Sequence, residues 1–405
     1  MAEMNTLVVG NDLGYGDLKI SIDNEITTQP TVISPIEQDF ENPIDHTDQD
    51  AVKNTIDNLL NLMNIEIDGK HYLVGNAAQN STIERITTDT NSRIGKAHMP
   101  AAKIVPLSTI AAKVVQNAYE NGEDIFSPLK ASVVMTTNLP IDEIENEPSV
   151  RDFYKGMFLN NNHIVVFRNF DYKISVTINF KAVDVFKEGE VAAVVAINNA
   201  TNDLKKYITD YTHKKYPTIE VSRLLGNNKT ILVIDIGFKT TELALIVNGE
   251  ADAFNSSSIK YGYGHVLSSA WKYLPKASSG GYTVKDVVAF KKLLNSKPFT
   301  KMEKENRDFA LKSEQSATPK LIRKIVSGLN GILGAADNLD AVYVVGGGSI
   351  PLMERTDLEQ QIKVTLENHR SSATTIWLGE KYAAYANLIG LKAIATSRNE
   401  SINNK

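Results

Sequence analysis

Cysteine is absent from the 405 residues, so the chain has neither disulfide bonds nor thiolate ligands for a metal. The seven histidines are scattered, without the short spacing that places two metal ligands on one helix face. Long apolar runs are missing as well, since the longest, at 191–197, falls well short of the roughly 20 residues that cross a bilayer. These absences argue against a zinc enzyme, a disulfide-rich secreted protein and a membrane protein. A cytoplasmic, soluble protein with two domains is expected.

An excess of basic residues is also missing, because 43 lysines and arginines stand against 48 aspartates and glutamates. The formal net charge of -5 gives no general attraction to nucleic acid or to an anionic membrane. One local basic stretch exists, and its residues are Lys205, Lys206, His213, Lys214 and Lys215. We interpret this stretch as the solvated face of a helix, so no direct contact with nucleic acid or membrane is predicted.

The two common phosphate-binding signatures are missing too. The sequence G-x-x-x-x-G-K-[ST] does not occur, which argues against a P-loop enzyme. The turn of Gly14 and Gly16 has Lys19 where a dinucleotide fingerprint requires a third glycine, and the pair Gly262 and Gly264 is also incomplete. A Rossmann-type dehydrogenase is therefore not indicated either.

The pattern of apolar residues predicts strands that alternate with helices, which is typical of an α/β fold. Two β-hairpins are predicted, one around Gly14 and Gly16 and one around Asp68 and Gly69. Helical periodicity predicts helices at 106–121, 203–215, 319–333 and 379–395. The acidic stretch at 36–54 is predicted to be a mobile excursion or small lobe, and residues 397–405 are predicted to fray.

Two strong strands end in the same way. The segment DLGYGDLKI begins at Asp12 and DIGFKTTEL begins at Asp235, and each has an acid, an aliphatic residue, a glycine and an aromatic residue before a second strand. An aspartate at a strand end can hold a hydrated Mg²⁺, and glycines let backbone N–H groups approach anionic oxygens. Lys19 adds a positive charge for the same oxygens. The pair of hairpins predicts a polyphosphate site, with the glycines of VVGGGS at 344–349 lining an adenine ring or a ribose.

In order and spacing, five segments of the chain resemble the actin-like ATPase superfamily. They are DLGYGDLK and VIDIGFKTTEL for two phosphate loops, VFKEGEVAAVVAI and GEKYAAYANLIGLKAIA for two connecting helices, and VYVVGGGSI for the adenosine motif. Within the superfamily the chain is most similar to the ParM-like plasmid-segregation actins of bacteria, whose typical segments correspond to MTTNLPI at 135–141 and YLVGNAA at 72–78. The resemblance extends from about residue 6 to about residue 395.

The resemblance implies an actin-like fold, in which two RNase H-like lobes flank a nucleotide cleft. The first domain would be residues 1–190, completed by a C-terminal helix at 376–405, and the second domain would be residues 191–375. The implied function is a nucleotide-dependent, filament-forming ATPase that segregates plasmid DNA through a DNA-binding adaptor protein. Its cofactors would be ATP or GTP with Mg²⁺, and its partners would be further copies of the chain and the adaptor.

The resemblance also implies a role for each site residue. Asp12 would bind Mg²⁺ through water and Lys19 would contact phosphate, while Asp235 would position both the metal and the attacking water. Glu188 would orient that water, with Glu190 as the alternative. Further phosphate contacts are implied for Leu13, Gly14, Tyr15, Gly16, Gly237, Lys239 and Thr240, and adenosine contacts for Gly346, Gly347 and Gly348.

Two segments depart from the pattern of the ParM-like proteins. Asn138 stands where those proteins often have a glycine before Leu-Pro. The segment FKEGE at 186–190 replaces their usual Pro-Gln/Glu-Gly entry to the first connecting helix. The second departure leaves both Glu188 and Glu190 open as the catalytic glutamate.

Two other functions would use the same kind of phosphate loop. A small-molecule kinase of the sugar-kinase type is one, but the cluster of acids and asparagines that binds a sugar is not obvious in the sequence. A chaperone-type ATPase is the other, and it would carry a substrate-binding domain where this sequence ends. The filament-forming ATPase is therefore the preferred interpretation.

Overall fold

The computed structural model describes residues 6–37, 43–87, 95–197, 199–226, 228–335 and 339–404, without the side chains of 193–195. Contacts divide the chain into two compact units. The first unit comprises Met1–Lys187 and Leu388–Lys405, and the second comprises Glu188–Asn387. Within the described ranges, no helix is both long enough and apolar enough to span a bilayer.

The first unit is built on a sheet that has nine strands within its described residues. They are β1 (Thr6–Leu13), β2 (Asp17–Ile22), β3 (Glu25–Pro30), β4 (Ile33–Ile36), β5 (Asn64–Ile67), β6 (Lys70–Val74), β7 (Leu129–Leu139), β8 (His163–Phe167) and β9 (Ile174–Lys187). Their order across the sheet is β3-β2-β1-β7-β9-β8-β5-β6-β4. An antiparallel hairpin, β1 and β2, thus lies beside the parallel strands β7 and β9, because β1 pairs parallel with β7.

Helices cover this sheet and complete the first core. They are α1 (Gln49–Asp57), α2 (Asn76–Asn80), α3 (Pro100–Glu120), α4 (Ile141–Asn146) and α5 (Val150–Leu159), and the C-terminal helix, which we number α13 (Ala386–Asn403), joins the unit at Leu388. α3 has buried residues on most of its surface, among them Leu107, Ala111 and Val115. The spacing of its apolar residues at helical intervals is what predicted a helix here.

Helix α3 begins six residues before the predicted start, and Pro106 lies inside it. A proline inside a helix removes one N–H group and leaves the carbonyl four residues earlier without its usual donor. That carbonyl belongs to Ala102, and the Tyr154 hydroxyl donates to it across 3.4 Å. The side chain of another helix therefore compensates for the missing backbone bond, which sequence patterning alone did not anticipate.

The second unit repeats the same sheet architecture on a smaller scale. Its strands are β10 (Thr230–Ile236), β11 (Thr241–Val247), β12 (Glu250–Ala251), β13 (Ser257–Ile259), β14 (Ala341–Val345) and β15 (Thr374–Trp377). The order is β12-β11-β10-β14-β15, with β13 paired to β11. β10 and β11 form an antiparallel hairpin, and β10, β14 and β15 run parallel to one another. Each unit thus presents a hairpin beside parallel strands.

Seven helices of the described residues lie wholly in the second unit. They are α6 (Asn202–Lys215), α7 (Tyr263–Ala277), α8 (Val287–Leu294), α9 (Lys301–Leu333), α10 (Ser349–Arg355), α11 (Leu358–Asn368) and α12 (Gly379–Ala383). α9 begins at a capping box, in which the Thr300 hydroxyl accepts from the Glu303 N–H and the Glu303 carboxylate accepts from the Thr300 N–H. The sequence analysis took Pro319 as the start of this helix, and it was wrong by 18 residues. The Thr318 hydroxyl donates to the Gln315 carbonyl that Pro319 leaves without a donor (3.1 Å).

Both predicted hairpins are confirmed. β1 and β2 pair around the Gly14 turn, and β5 and β6 pair around Asp68 and Gly69. The backbone φ angles of Asp68 and Gly69 are 50° and 70°, which is the left-handed conformation that a two-residue hairpin turn requires. These hairpins were predictable because the turn residues and the flanking apolar alternation are all local in sequence.

The predicted first connecting helix is wrong in length and start. Strand β9 continues to Lys187, and only a short π-helical turn at Ala192–Ile197 follows. The segment is rich in valine, whose β-branched side chain loses rotamer freedom in a helix. Glu188 therefore lies on a turn directly after a strand, and Glu190 lies at the entry to the short helical segment.

Two further predictions need correction. The helix predicted at 379–395 is two helices, α12 and α13, and α13 extends to Asn403 instead of fraying from 397. Within the acidic stretch at 36–54, residues 38–42 lie outside the described residues, but from Gln49 the chain forms α1, whose N-cap is Asp48. Asp48 accepts a hydrogen bond from the Ala51 N–H, so one acid of this stretch is explained by helix capping.

The predicted domains also differ from the two compact units at the carboxyl-terminal end. The sequence analysis assigns 376–405 to the first domain, whereas the chain as far as Asn387 groups with the second unit. The physical reason is that β15 pairs with β14, and the Gly346 N–H donates to the Ala383 carbonyl (2.8 Å). The domain limits themselves stay a prediction.

Candidate functional site: two repeated acid-tipped loops

The two hairpins that carry Asp12 and Asp235 have the same register. Asp12 lies opposite Lys19 in the first hairpin, and Asp235 lies opposite Glu242 in the second. Within each turn, the glycine two residues after the aspartate donates its N–H to the carbonyl five residues after the aspartate. These bonds join Gly14 to Asp17 (3.1 Å) and Gly237 to Thr240 (3.0 Å). The sequence repeat is thus also a repeat in backbone structure.

In the first loop, the Asp12 carboxylate is buried and has two neighbouring donor groups, a side-chain amide and an ammonium. One of its oxygens, Oδ1, accepts a hydrogen bond of 2.9 Å from the Asn138 side-chain amide. Its other oxygen, Oδ2, lies 3.6 Å from the Lys19 ammonium. The parallel pairing of β1 with β7 brings Asn138 beside Asp12, because both residues follow the paired residues Asn11 and Thr137. The asparagine that departs from the ParM-like pattern is therefore a direct partner of the predicted metal ligand.

The backbone of the first loop is fixed from the β3–β4 connection. The Thr31 hydroxyl donates to the Gly14 carbonyl (2.7 Å), and the Thr31 N–H donates to the Gly16 carbonyl (3.0 Å). Leu13 is fully buried in the core of the first unit, so only its backbone remains for ligand contact. Gly14 and Gly16 are partly exposed. The phosphate contacts predicted for these residues stay a prediction.

Lys96 is a buried cation beside this loop that the sequence analysis missed. Its residue is only 1% exposed, its ammonium donates to the Asn138 carbonyl (3.4 Å), and it lies 5.8 Å from the centre of the Tyr15 ring. The Glu143 carboxylate accepts from the N–H groups of Lys96 and Ala97, both at 2.8 Å, and holds this turn in place. Nothing in the local sequence marks Lys96, because its burial depends on distant segments.

The second loop has a different charge opposite its acid. Asp235 and Thr240 are buried, and Lys239 is partly exposed. Glu242, which occupies the position equivalent to Lys19, is 1% exposed and accepts a hydrogen bond from the Ser258 hydroxyl (3.0 Å). The predicted cation of this loop, Lys239, therefore lies within the turn and not on the second strand.

Asn387 links Asp235 to the turn that carries both candidate glutamates. Its side-chain amide donates to Oδ2 of Asp235 (2.7 Å), and its side-chain carbonyl accepts from the Gly189 N–H (3.2 Å). Gly189 has a φ of 74° and lies between Glu188 and Glu190. The structure thus places Asp235 and the Glu188–Glu190 turn in one hydrogen-bonded group within the second unit.

The three glycines after β14 have different surroundings. A Cβ on Gly346, whose φ is 85°, would lie 2.4 Å from Oδ1 of Asp235, and a Cβ on Gly348 would lie 2.8 Å from the Ile236 carbonyl oxygen. A Cβ on Gly347 would have no heavy atom within 4 Å. Close packing against β10 therefore explains Gly346 and Gly348, while Gly347 faces open space. Their predicted contacts with adenosine stay a prediction.

The start of α7 supports the second loop and was not recognised from the sequence. The Tyr263 N–H donates to the Gly237 carbonyl (2.9 Å) and the Gly264 N–H to the Phe238 carbonyl (2.6 Å). The Tyr263 hydroxyl donates to the buried Glu314 carboxylate, which also pairs with Arg355 (2.7 Å). Burial, reinforced by the Glu314 charge, raises the pKa of Tyr263, so its hydroxyl keeps its proton. Gly262 and Gly264, which form an incomplete dinucleotide fingerprint in the sequence, therefore lie at the start of the helix that supports the second loop.

Two family models match the sequence. Residues 10–190 match the model described as the N-terminal domain of actin-like proteins. Residues 233–357 match the model described as the C-terminal part of the archaeal actin homologue, MreB-like. Each match includes one of the acid-tipped loops. Among curated proteins no sequence matches.

Solved structures with the same fold match nearly the whole chain. Alp7A, an actin-like protein, matches with a TM-score of 0.65 and 15% identity over 98% of this chain and 97% of its own. A subunit of a 15-stranded ParM filament from Clostridium botulinum matches with a TM-score of 0.62 and 20% identity over 97% and 100%. The archaeal actin homologue Ta0583 in complex with ADP matches with a TM-score of 0.58 and 17% identity over 97% and 100%. These structures confirm the predicted actin-like α/β fold. The two family models match residues 10–190 and 233–357 to actin-like proteins, so the predicted resemblance to the actin-like superfamily is confirmed.

Proposed function

We propose that this protein is a filament-forming, nucleotide-dependent ATPase that moves plasmid DNA through an adaptor protein. The observation that carries the proposal is the repeat of one hydrogen-bonded turn after Asp12 and after Asp235, with the same hairpin register. The proposal assigns each loop to the binding of nucleotide phosphate, as the family resemblance implies. ATP is the preferred nucleotide in this proposal, and GTP is the alternative.

The residues present fit a magnesium ion. Mg²⁺ prefers oxygen ligands and keeps several of its waters, and both Asp12 and Asp235 offer buried carboxylate oxygens at the end of a strand. Each carboxylate accepts from one asparagine amide through one of its oxygens, and in this proposal its second oxygen would bind a water of the cation. When bound, the cation would neutralise charge on the phosphate oxygens.

The chain's own groups would supply positioning for hydrolysis. Phosphoryl transfer to water depends mainly on orientation and charge stabilisation, and the protein contributes little covalent chemistry. The N–H groups of the glycine turns would orient the phosphates, with Lys19 and Lys239 as the cations nearest to them in sequence. Glu188, or Glu190 in its place, would hold the attacking water and accept its hydrogen bond.

The assembly part of the proposal comes from the relatives. A neighbour named as a ParM filament forms a 15-stranded assembly, and another is named for ADP. Head-to-tail association of identical subunits gives an open filament whenever the rotation between subunits does not close a ring. The ParM and Alp7A neighbours favour this function over a sugar-type kinase on the same fold.

Light scattering and electron microscopy test the proposal directly. The purified protein is mixed with ATP and Mg²⁺, with ADP and Mg²⁺, with GTP and Mg²⁺, and with ATP in EDTA, and phosphate release is followed in parallel. We expect scattering to rise with the triphosphate and Mg²⁺, and filaments to be visible only in those samples. No change in scattering together with phosphate transfer to a sugar would establish the kinase instead.

The adaptor is tested separately by plasmid retention. A replicon that carries this coding sequence with its neighbouring genes is followed over generations without selection. Deletion of the coding sequence should lower retention of the replicon. Segregation through an adaptor is supported if restoring the coding sequence restores retention only when a separate gene for a DNA-binding protein is also present. Equal retention without the coding sequence would remove the segregation part of the proposal and leave the ATPase part standing.

A further inference from the structure

Each aspartate of the repeated loops is held by the side-chain amide of one asparagine. Asn138 donates to Asp12 across 2.9 Å, and Asn387 donates to Asp235 across 2.7 Å. Both asparagines are buried, with exposures of 0% and 9%. The two partners come from different places in the fold, since Asn138 is the second-last residue of strand β7 and Asn387 lies in the first turn of α13. The same contact is therefore made twice by unrelated segments.

The orientation of each amide follows from chemistry. An asparagine side chain has one donor group and one acceptor oxygen, and only the NH₂ group is attracted to a carboxylate. The carboxylate consequently fixes which way the amide points. At Asn387 the remaining oxygen accepts the Gly189 N–H, so the amide spans from Asp235 to the Glu188–Glu190 turn.

The side-chain oxygen of Asn138 differs from that of Asn387 in its hydrogen bonding. Oδ1 of Asn138 is buried and has no hydrogen-bond partner among the described residues. A buried acceptor without a donor is costly, and such groups in native proteins commonly serve a ligand or a water. Because the same amide already holds Asp12, this oxygen is available to accept from a water that a cation bound at Asp12 would carry.

We propose that Asn138 and Asn387 are positioning residues of this ATPase, which aim Asp12 and Asp235 at the metal–nucleotide complex. A hydrogen bond from a neutral amide to one carboxylate oxygen restricts rotation of the carboxylate, so the carboxylate keeps its orientation before the cation arrives. Without Asn138, Oδ1 of Asp12 would lose its amide donor, and the carboxylate would be able to rotate while Oδ2 stays near the Lys19 ammonium, 3.6 Å away. Without Asn387, both Asp235 and the Gly189 N–H lose a partner, so the catalytic turn is released as well. This inference rests on the proposed function.

The test compares Asn138→Ala and Asn387→Ala with a matched control, Asn11→Ala. Asn11 is also a fully buried asparagine, but its amide donates to the Thr137 hydroxyl (3.0 Å) and not to an aspartate. Fluorescent ATP and ADP analogues are titrated in Mg²⁺ and in EDTA, which gives two dissociation constants for each variant. Circular dichroism and thermal unfolding check that each variant is folded, and Asn387→Ser replaces Asn387→Ala if the alanine variant is not.

We expect the advantage that Mg²⁺ gives to nucleotide binding to fall about tenfold in both variants, with binding in EDTA unchanged. Asn387→Ala should also lower kcat at saturating nucleotide and Mg²⁺, because the Glu188–Glu190 turn is no longer tied to Asp235. Asn11→Ala should keep the wild-type ratio of the dissociation constant in EDTA to that in Mg²⁺, even if its melting temperature falls. A purely structural role would instead weaken binding equally with and without Mg²⁺.

The failure of this inference differs from the failure of the proposed function. If the wild-type protein binds nucleotide more tightly in Mg²⁺ and both variants keep that advantage, the asparagines are not positioning residues. If the wild-type protein shows no Mg²⁺-dependent nucleotide binding at all, then the proposed function fails first. In that case the asparagines hold their aspartates for some other purpose.

Discussion

Gly346 lies so close to Asp235 that a Cβ on the glycine would come within 2.4 Å of the carboxylate oxygen Oδ1. The backbone of Gly346 also has a φ of 85°, which residues with a Cβ adopt only with strain. Both effects act at the point where strand β14 ends beside strand β10. The absence of a side chain at Gly346 therefore allows both the orientation of the Asp235 carboxylate and the backbone conformation of the turn.

Substitution of Gly346 by alanine tests this relationship. Gly346→Ala should lower the free energy of unfolding by about 1–3 kcal/mol and weaken Mg²⁺-dependent nucleotide binding, because the added methyl group displaces Asp235. Gly347→Ala is the matched control, since its Cβ would contact nothing within 4 Å and its φ is ordinary. Urea denaturation and nucleotide titration measure both quantities. Equal behaviour of the two variants would contradict the close packing described above.

Glu188 provides a second prediction. Glu188→Ala should slow phosphate release by about 10²-fold or more, because the attacking water loses the group that orients it. In the proposed function, filament assembly follows nucleotide binding and does not require hydrolysis, so filaments should still form and should persist longer than those of the wild type. Phosphate release and light scattering are measured on the same samples. Asp235→Ala is expected to slow hydrolysis in the same way, and assembly should be retained at nucleotide concentrations that saturate the variant.

A variant of Glu190 tests the alternative that Glu190, and not Glu188, orients the attacking water. Wild-type turnover in Glu188→Ala, together with slow turnover in Glu190→Ala, would move the water-orienting role to Glu190. The Gly189 N–H is tied to Asn387 between these two residues, so a change at either glutamate leaves the anchor of the turn in place. The pair of variants therefore compares side chains on one fixed backbone.

A third prediction concerns the cation of the first loop. Lys19→Ala should weaken nucleotide binding about tenfold, because a charge-assisted contact with phosphate is lost. Its effect on stability should be modest, since the Lys19 side chain is partly exposed and its ammonium lies 3.6 Å from the Asp12 carboxylate. Lys103→Ala serves as the control, because Lys103 pairs with Asp68 on the same unit at 2.6 Å. Binding that is equally weak in both variants would argue against a specific role for Lys19.

The buried His163 imidazole predicts a pH dependence of stability. Burial lowers the pKa of His163, because the charged form would be desolvated, and Lys103 lowers that pKa further while Asp68 opposes the shift. The folded protein therefore takes up this proton less readily than the unfolded chain, whose histidine has a pKa of about 6.5. Stability is complete above about pH 6.5 and falls as the pH is lowered below it.

Urea denaturation at about pH 7.5 and about pH 5.5 measures this dependence. The free energy of unfolding should be lower at the more acidic pH, and His163 should contribute to that decrease. The variant His163→Gln keeps a side chain able to donate to the Phe158 carbonyl, which His163 contacts at 2.9 Å, but it does not titrate. Its loss of stability on acidification should be smaller than that of the wild type. An identical loss would assign the dependence to other groups.

The acid-tipped loops could be predicted from sequence because everything that forms them is local. Asp12 and Gly14 are two residues apart, and the same spacing separates Asp235 and Gly237. The partners of the two aspartates could not be predicted in this way, since Asn138 is 126 residues from Asp12 and Asn387 is 152 residues from Asp235. Only the pairing of β1 with β7 and the packing of the second unit bring them together.

The helix starts failed for a related reason. The predicted helices begin at Pro106 and Pro319, and a proline is tolerated in the first turn of a helix because its missing N–H has no cost there. In the structure both lie inside a helix, and hydroxyl groups of Tyr154 and Thr318 serve the carbonyls that the prolines leave without a donor. Hydrogen bonds from these two side chains thus allow a proline inside each helix, which the local preference of proline for the first turn does not predict.

The charge difference between the repeated hairpins makes the two loops non-interchangeable. Lys19 lies opposite Asp12, but Glu242 lies opposite Asp235, so one strand pair carries compensating charges and the other carries two acids. A chimaera with the two turns and their second strands exchanged would keep every backbone hydrogen bond of the hairpins. It would nevertheless bury an ammonium where Ser258 now donates to a carboxylate, and would leave the first acid facing another acid. Two halves of common design have thus become specialised to the point that neither can replace the other.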